Sequence, residues 1–288
     1  MGYRSLEEIM SQAKEKGIRF WEVILEDDCI ERQVDKEESM NRILGLYNSM
    51  KDADYAYDGK LRSSSKLVGG DGEKLVKYID EKNTICGDFI NHVMAKAIKM
   101  GESNACMRRI VAAPTAGSCG VVPAVLISLQ EEFKFSDEKM VEAMYVTAGI
   151  GQIIATRAFI SGAEGGCQAE VGTASAMAAA AASFLKGGDD ECLLHASAIA
   201  LKSLLGLVCD PVAGLVEVPC VKRNVIGAVN ALSSADMALA GIRSVIPPDE
   251  VIDAMRTVGM RMHSSLRETG EGGLAATKTA IEIANRVL

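Results

Sequence analysis

The chain has 288 residues, a formal charge of −8, 48% apolar residues and only 5% aromatic ones. That length carries one large domain or two small ones, with apolar material for a sizeable core. The acidic balance argues against a nucleic-acid surface. No basic tract precedes an apolar N-terminal run, and the least polar stretch, 171–185, is shorter than the roughly 20 residues of a span, so a soluble cytoplasmic protein is expected.

Ser5 and Glu8 form a capping box that opens a first helix, and Gly17 can stop it. Leu6, Ile9, Met10 and Ala13 share one face of that helix. A second helix is predicted over 37–50, with Met40, Ile43, Leu44 and Tyr47 on one face. Two short apolar runs, 21–25 and 110–113, are candidate strands. Further helices are predicted over 72–83, 88–100, 123–133 and 137–152; Pro123 suits a first turn, where its missing N–H costs nothing. An Ala-rich helix over 169–185 follows, then 190–205, 224–239, 248–262 and a tail over 274–288. Alternation of period two is scarce, and the expected fold is all-α, one multi-helix domain over 1–288.

Four connectors are unusually dense in glycine, proline and serine: SSSKLVGGDG (63–72), APTAGSCG (113–120), SGAEGGCQAEVG (161–172) and CDPVAGLVEVPC (209–220). Glycine permits close backbone approach to a ligand, and proline stiffens the chain between glycines. Three of these connectors hold a cysteine. Eight cysteines without a secretion signal indicate buried thiols, metal ligands or redox chemistry, not a disulfide framework. Cys29, Cys86, Cys106 and Cys192 lie in helical or polar-flanked sequence and read as structural. Cys167, Cys209 and Cys220 are separated by 42 and 11 residues, which is neither a zinc-finger nor a ferredoxin spacing. Thiolates on separate rigid loops can still converge on zinc, copper(I) or an iron–sulfur cluster, and spacing alone leaves these open.

Taken together, SGAEGGCQAEVG, CDPVAGLVEVPCVKRN (209–224), APTAGSCG and RETGEGGLA (267–275) resemble the iron–sulfur L-serine dehydratases of bacteria. The likeness spans nearly the whole chain and is to the alpha chain of the two-chain form. It implies a helical cluster domain here. A second, α/β domain with a Ser-His-Thr motif, absent from this chain, is then expected on a separate beta chain, giving a hetero-oligomer. Cys167, Cys209 and Cys220 match the three ligands of a [4Fe–4S] cluster whose fourth iron is open. Cys119 lies in a matching loop but is not among those ligands. Some single-chain relatives end in a cysteine-bearing tail that reaches the cluster; the final IEIANRVL here has none.

The reaction so implied is α,β-elimination of L-serine to pyruvate and ammonia, in amino-acid degradation feeding gluconeogenesis, with no PLP. An open iron acts as Lewis acid on the β-hydroxyl, and a general base removes the α-proton. Ser63, Ser64, Ser65 and Lys66, with Thr115, Gly117 and Ser118, are the expected binders of the substrate carboxylate. Glu164 and Glu170 flank the Cys167 loop and could orient the ammonium or bond loop backbone. His92 and His195, in apolar helical runs, read as core or interface groups. His263 is the candidate base within this chain, unless the beta chain supplies a histidine. Lys222 and Arg223 could offset thiolate charge or mark a subunit contact. Two other readings stay open: a lyase that desulfurates L-cysteine, and a non-catalytic metal or redox module.

Overall fold

Ser5 accepts a hydrogen bond from the Glu8 amide at 3.0 Å and so opens α1 (Leu6–Lys16) in the computed structural model, which describes residues 2–288. The Glu8 carboxylate takes the Arg4 amide at 2.6 Å, so the capping box closes one residue early. Gly17 ends the helix in the left-handed conformation, φ 66°.

The run 21–25 is not a strand but part of α2 (Phe20–Arg32). Its buried residues Phe20, Val23, Ile24 and Leu25 fall at helical spacing, and packing decides the outcome over β-branched composition. Phe20 and Ile24 close over Gly149, where a Cβ would come within 2.8 Å of each. Helices α3 (Lys36–Tyr55), α4 (Asp71–Asp80), α5 (Gly87–Ala105), α6 (Val121–Phe133) and α7 (Asp137–Arg157) follow. The second predicted helix is therefore longer than its apolar face indicated. The run 110–113 is irregular, leading into the APTAGSCG connector.

The segment after α7 departs most from a plain helical reading. A single turn, α8 (Gly162–Gly165), precedes Cys167, and a π-helical turn, Gln168–Gly172, leads into α9 (Thr173–Leu185). Then come α10 (Asp190–Lys202), α11 (Cys220–Leu239), α12 (Pro248–Arg261) and α13 (Lys278–Val287). Among the described residues there are thirteen α-helices and no strand. The one β-bridge pairs Cys209 with Arg267 in parallel.

Helix α9 is the axis of the fold. All of its residues are buried, and α6, α7, α10 and α11 pack around it. Alanine at most positions lets neighbouring backbones approach closely, as a leucine-rich helix would not. Polar pins fix the register: Ser175 Oγ donates to the Gly227 carbonyl at 2.8 Å. Asn230 Nδ2 donates to Ser175 Oγ and to the Ala200 carbonyl, at 2.8 and 2.9 Å. Buried apolar side chains from α1 to α12 form one connected core. Among the described residues no helix is long and apolar enough to cross a membrane.

Candidate metal centre

Two connectors, 161–172 and 209–220, bring three thiols to one end of this bundle. Cys167 follows Gly166, whose φ of 75° turns the chain from α8 into the π turn. A side chain at Gly166 would meet the Leu207 carbonyl at 2.8 Å, so only glycine lets the loops touch. Cys209 is clamped in extended backbone: its amide donates to the Leu266 carbonyl, and its carbonyl accepts from the Glu268 amide, each at 2.8 Å. Cys220 is the first residue of α11, which begins earlier than the predicted 224. The Cys167 and Cys209 sulfurs and a Glu170 carboxylate oxygen lie within 4.8 Å of one another. Cys220 stands outside that group, yet near enough for its thiol to respond to the charges on Cys167 and Glu170.

The electrostatics are those of crowded acidic groups with little access to water. The Cys209 thiol hydrogen-bonds to Cys167, which holds Cys167 below the ordinary thiol range, helped by the Arg223 charge, and pushes Cys209 well above it. Burial, then the Cys167 and Glu170 charges, push Cys220 up to about 12. Burial also raises the Glu170 carboxyl. Several acidic groups repel each other in a dry site, and a bound metal ion would reverse that logic by taking them all as anions.

Arg223, one turn into α11, is the counter-charge. Its Nη1 donates to the Val208 carbonyl at 2.8 Å and lies 3.4 Å from the Cys167 sulfur; Nη2 donates to Asp210 Oδ1 at 2.8 Å. Asp210 Oδ2 in turn accepts the Leu274 amide at 2.7 Å, which draws the RETGEGGLA segment over the site. Gly273, φ 60°, allows this approach, because a Cβ there would fall 2.4 Å from Asp210 Oδ2. Asn224 ties a further loop to α11: Oδ1 accepts the Gly120 amide at 2.8 Å, and Nδ2 donates to the Gly117 and Cys220 carbonyls at 2.9 and 3.0 Å.

The expected substrate binders fall into two sets. Thr115 Oγ1 donates to Glu170 Oε1 at 2.7 Å, with Ser118 Oγ 3.1 Å from Thr115 Oγ1. A Cβ on Gly117 would sit 3.0 Å from Glu170 Oε1, so this loop wraps the acid beside the thiols. The other set is joined to the Cys220 turn through a buried acid: Ser63 and Ser65 both donate to Glu217 Oε2, Ser63 at 2.9 Å. Ser64 and Lys66 are exposed. Amides of Gly69, Asp71 and Gly72 in the same glycine-rich connector are occupied by the buried Glu102 carboxylate, at 3.1, 2.8 and 3.2 Å.

The remaining candidates are exposed or engaged with other partners. Cys119 is fully buried, its thiol bonded to the Met100 carbonyl at 3.7 Å and pushed up to about 12 by burial. His263 caps a 3-10 turn, exposed, with Nδ1 2.8 Å from Ser265 Oγ. His92 is exposed on α5, so it is not a core group of this chain. His195 is half-buried and accepts the Ser244 amide at 3.3 Å; burial lowers its pKa. Glu164 is exposed, and Lys222 pairs with Asp71 at 3.3 Å. Sequence reasoning passed over Asp210, Glu217 and Glu102. The only signal for Asp210 was its place directly after Cys209.

The chain is similar to known proteins along nearly its whole length. The family described as "Serine dehydratase alpha chain" matches residues 15–275. A Bacillus subtilis protein named "Probable L-serine dehydratase, alpha chain" is 46% identical over 285 residues, covering 99% of this chain and 95% of that one. The "L-serine dehydratase, alpha chain" of Peptoniphilus asaccharolyticus is 43% identical over 281 residues, 96% of this chain and 95% of its own length. An "L-serine dehydratase" of Mycobacterium tuberculosis is 45% identical over 194 residues, 65% of this chain but 41% of that protein.

Proposed function

This chain belongs to the serine dehydratase alpha chain family, and from that membership we propose that it is the catalytic alpha chain of an iron–sulfur L-serine dehydratase. The observation that carries the reading is the meeting of Cys167, Cys209 and Glu170, from connectors far apart in sequence, in a chain similar to alpha chains along nearly its whole length. The Cys167, Cys209 and Glu170 group is by itself compact enough for a single ion, where two thiolates stand roughly 4 Å apart. The third thiol, Cys220, outside that group but responsive to the Cys167 charge, is what favours a larger, polynuclear group. Three soft thiolates from two connectors fit an iron–sulfur cluster of the [4Fe–4S] type, with Cys167, Cys209 and Cys220 as its holders. Such a group would supply a Lewis-acidic iron for the β-hydroxyl of L-serine, and PLP has no part in this reading.

The protein's own groups have separate tasks. Arg223 donates toward the Cys167 sulfur and offsets its charge, and Asp210 holds Arg223 in place. Glu170 is half-buried beside the sulfurs and held by Thr115, with Gly117 and Ser118 closing the loop around it. There its carboxylate can receive the substrate ammonium. Ser63 and Ser65, with the neighbouring Ser64 and Lys66, act from the Cys220 side through Glu217. The general base is assigned to the beta chain, whose α/β domain would complete the site; His263 is the candidate within this chain. The longer M. tuberculosis relative, only 41% of which this chain matches, supports a division of one enzyme over two chains.

Anaerobic co-expression with a beta chain, followed by pyruvate release from L-serine and from L-cysteine, tests the reading. Pyruvate from L-serine that needs both chains is expected. Full turnover by this chain alone refutes the division, pyruvate from L-cysteine only reassigns the lyase, and a protein that takes up no iron removes the mechanism.

A further inference from the structure

Among the described residues, Arg267 is paired with no carboxylate. Its Nε is buried and without a hydrogen-bond partner among the described residues. Its Nη1 reaches only the Glu164 carbonyl, at 3.5 Å, the outer limit of a hydrogen bond. The edge formed by Nε and Nη2 is therefore unused. Arg157 shows what that edge accepts: its Nε and Nη2 donate to the two oxygens of Asp253, at 2.7 Å each. A guanidinium N–H shut away from water without an acceptor is costly, and a planar carboxylate is the ligand whose two oxygens match it.

Its position is beside the thiols. Arg267 is bridge partner to Cys209, and paired residues in parallel extended segments turn their side chains to the same side. The Cys209 amide on Leu266 and the Glu268 amide on Cys209 clamp the backbone on either side of Arg267. Through Glu164 its head lies on the α8 turn. A Cβ at Gly162 of that same turn would stand 2.8 Å from Glu170 Oε2 and 2.9 Å from the Cys209 sulfur. Other donors that could serve an anion are taken by the protein's own acids: Ser63 and Ser65 by Glu217, Thr115 by Glu170, and three glycine-loop amides by Glu102.

We propose that Arg267 binds the carboxylate of the amino-acid substrate, with Nε and Nη2 donating to its two oxygens while Glu170 faces the ammonium end. This rests on the reading of the chain as an L-serine dehydratase. The placement selects α-amino acids with a free carboxylate over their amides or alcohols.

The test uses the cluster-loaded complex with its beta chain, as wild type, R267Q and R267K. Three readouts are taken: iron content with visible spectrum, kcat and KM for L-serine against L-serinamide, and calorimetric binding of glycine as a non-reacting probe. Expected for R267Q is a KM for L-serine raised about 100-fold, with iron and spectrum unchanged and preference over L-serinamide lost; R267K, which keeps the charge but not the fork, falls between. A KM unchanged in R267Q overturns the assignment, and so does iron lost in both variants, which makes Arg267 structural. If wild type releases no pyruvate while glycine binds to it and not to R267Q, the carboxylate site stands and the dehydratase reading falls. If glycine binds equally to both, the site falls too.

Discussion

Replacing Asp210 with alanine removes the acid that faces Arg223 in a nearly dry pocket, where the two side chains are 4% and 15% exposed. Arg223 then keeps its charge beside Val208 and Cys167 with no carboxylate to offset it, and the Leu274 amide loses its acceptor. Removing one partner of a buried pair costs about 3–5 kcal/mol. A chain of 288 residues unfolds with an entropy of roughly 0.6 kcal/mol/K near its midpoint, so the Tm should fall by about 5–8 °C. Scanning calorimetry of the chain reads this directly. The double variant D210A/R223L removes both charges at once and should regain about 2 kcal/mol relative to additivity, or roughly 3 °C. D210N, which keeps an acceptor for Leu274 but not the charge, should fall between D210A and wild type. A loss below about 2 °C in D210A, or strict additivity in the double variant, refutes the claim that Asp210 holds Arg223 against the thiols.

Asn224→Ala leaves the Gly120 amide and Gly117 carbonyl without partners inside the bundle. It should cost about 2–4 kcal/mol in urea unfolding and speed hydrogen exchange at Gly120. An unchanged midpoint removes the idea that Asn224 fastens the APTAGSCG loop to α11. For Glu170, burial raises the folded pKa above the ordinary 4.5, so between the two values the folded chain holds a proton that the unfolded chain has released. Stability of the metal-free chain should therefore decline as pH rises through that window, and Glu170→Gln should abolish the decline. Tm recorded against pH for both proteins checks this, and parallel curves contradict it.

The helix boundaries with explicit chemistry were readable in advance. Ser5 and Gly17 do what their side chains and backbone freedom imply, and the alanine run becomes the buried axis. The run 21–25 misled because its apolar density suits a strand, while the turn that makes it helical comes from packing on Gly149, a contact remote in sequence. The π turn before α9 leaves no mark in side-chain periodicity. At the site, glycine and proline density singled out the loops, and family likeness singled out Cys167, Cys209 and Cys220. Starting the helix at 224 hid the fact that Cys220 and Arg223 share its first turn. Glu217 and Arg267 were illegible for a related reason: each matters through a partner on another segment, Ser63 and Ser65 for one and Cys209 for the other.

The most direct measurement is iron per chain, with the visible spectrum, after anaerobic reconstitution of wild type and of C167S, C209S, C220S and C119S. About four irons per chain are expected in wild type and in C119S, since that thiol is spent on Met100. Each of the other three substitutions should lose the cluster and, in complex with the beta chain, pyruvate release from L-serine. Retention of iron and rate in C167S, C209S or C220S, or loss of iron in C119S alone, contradicts the account.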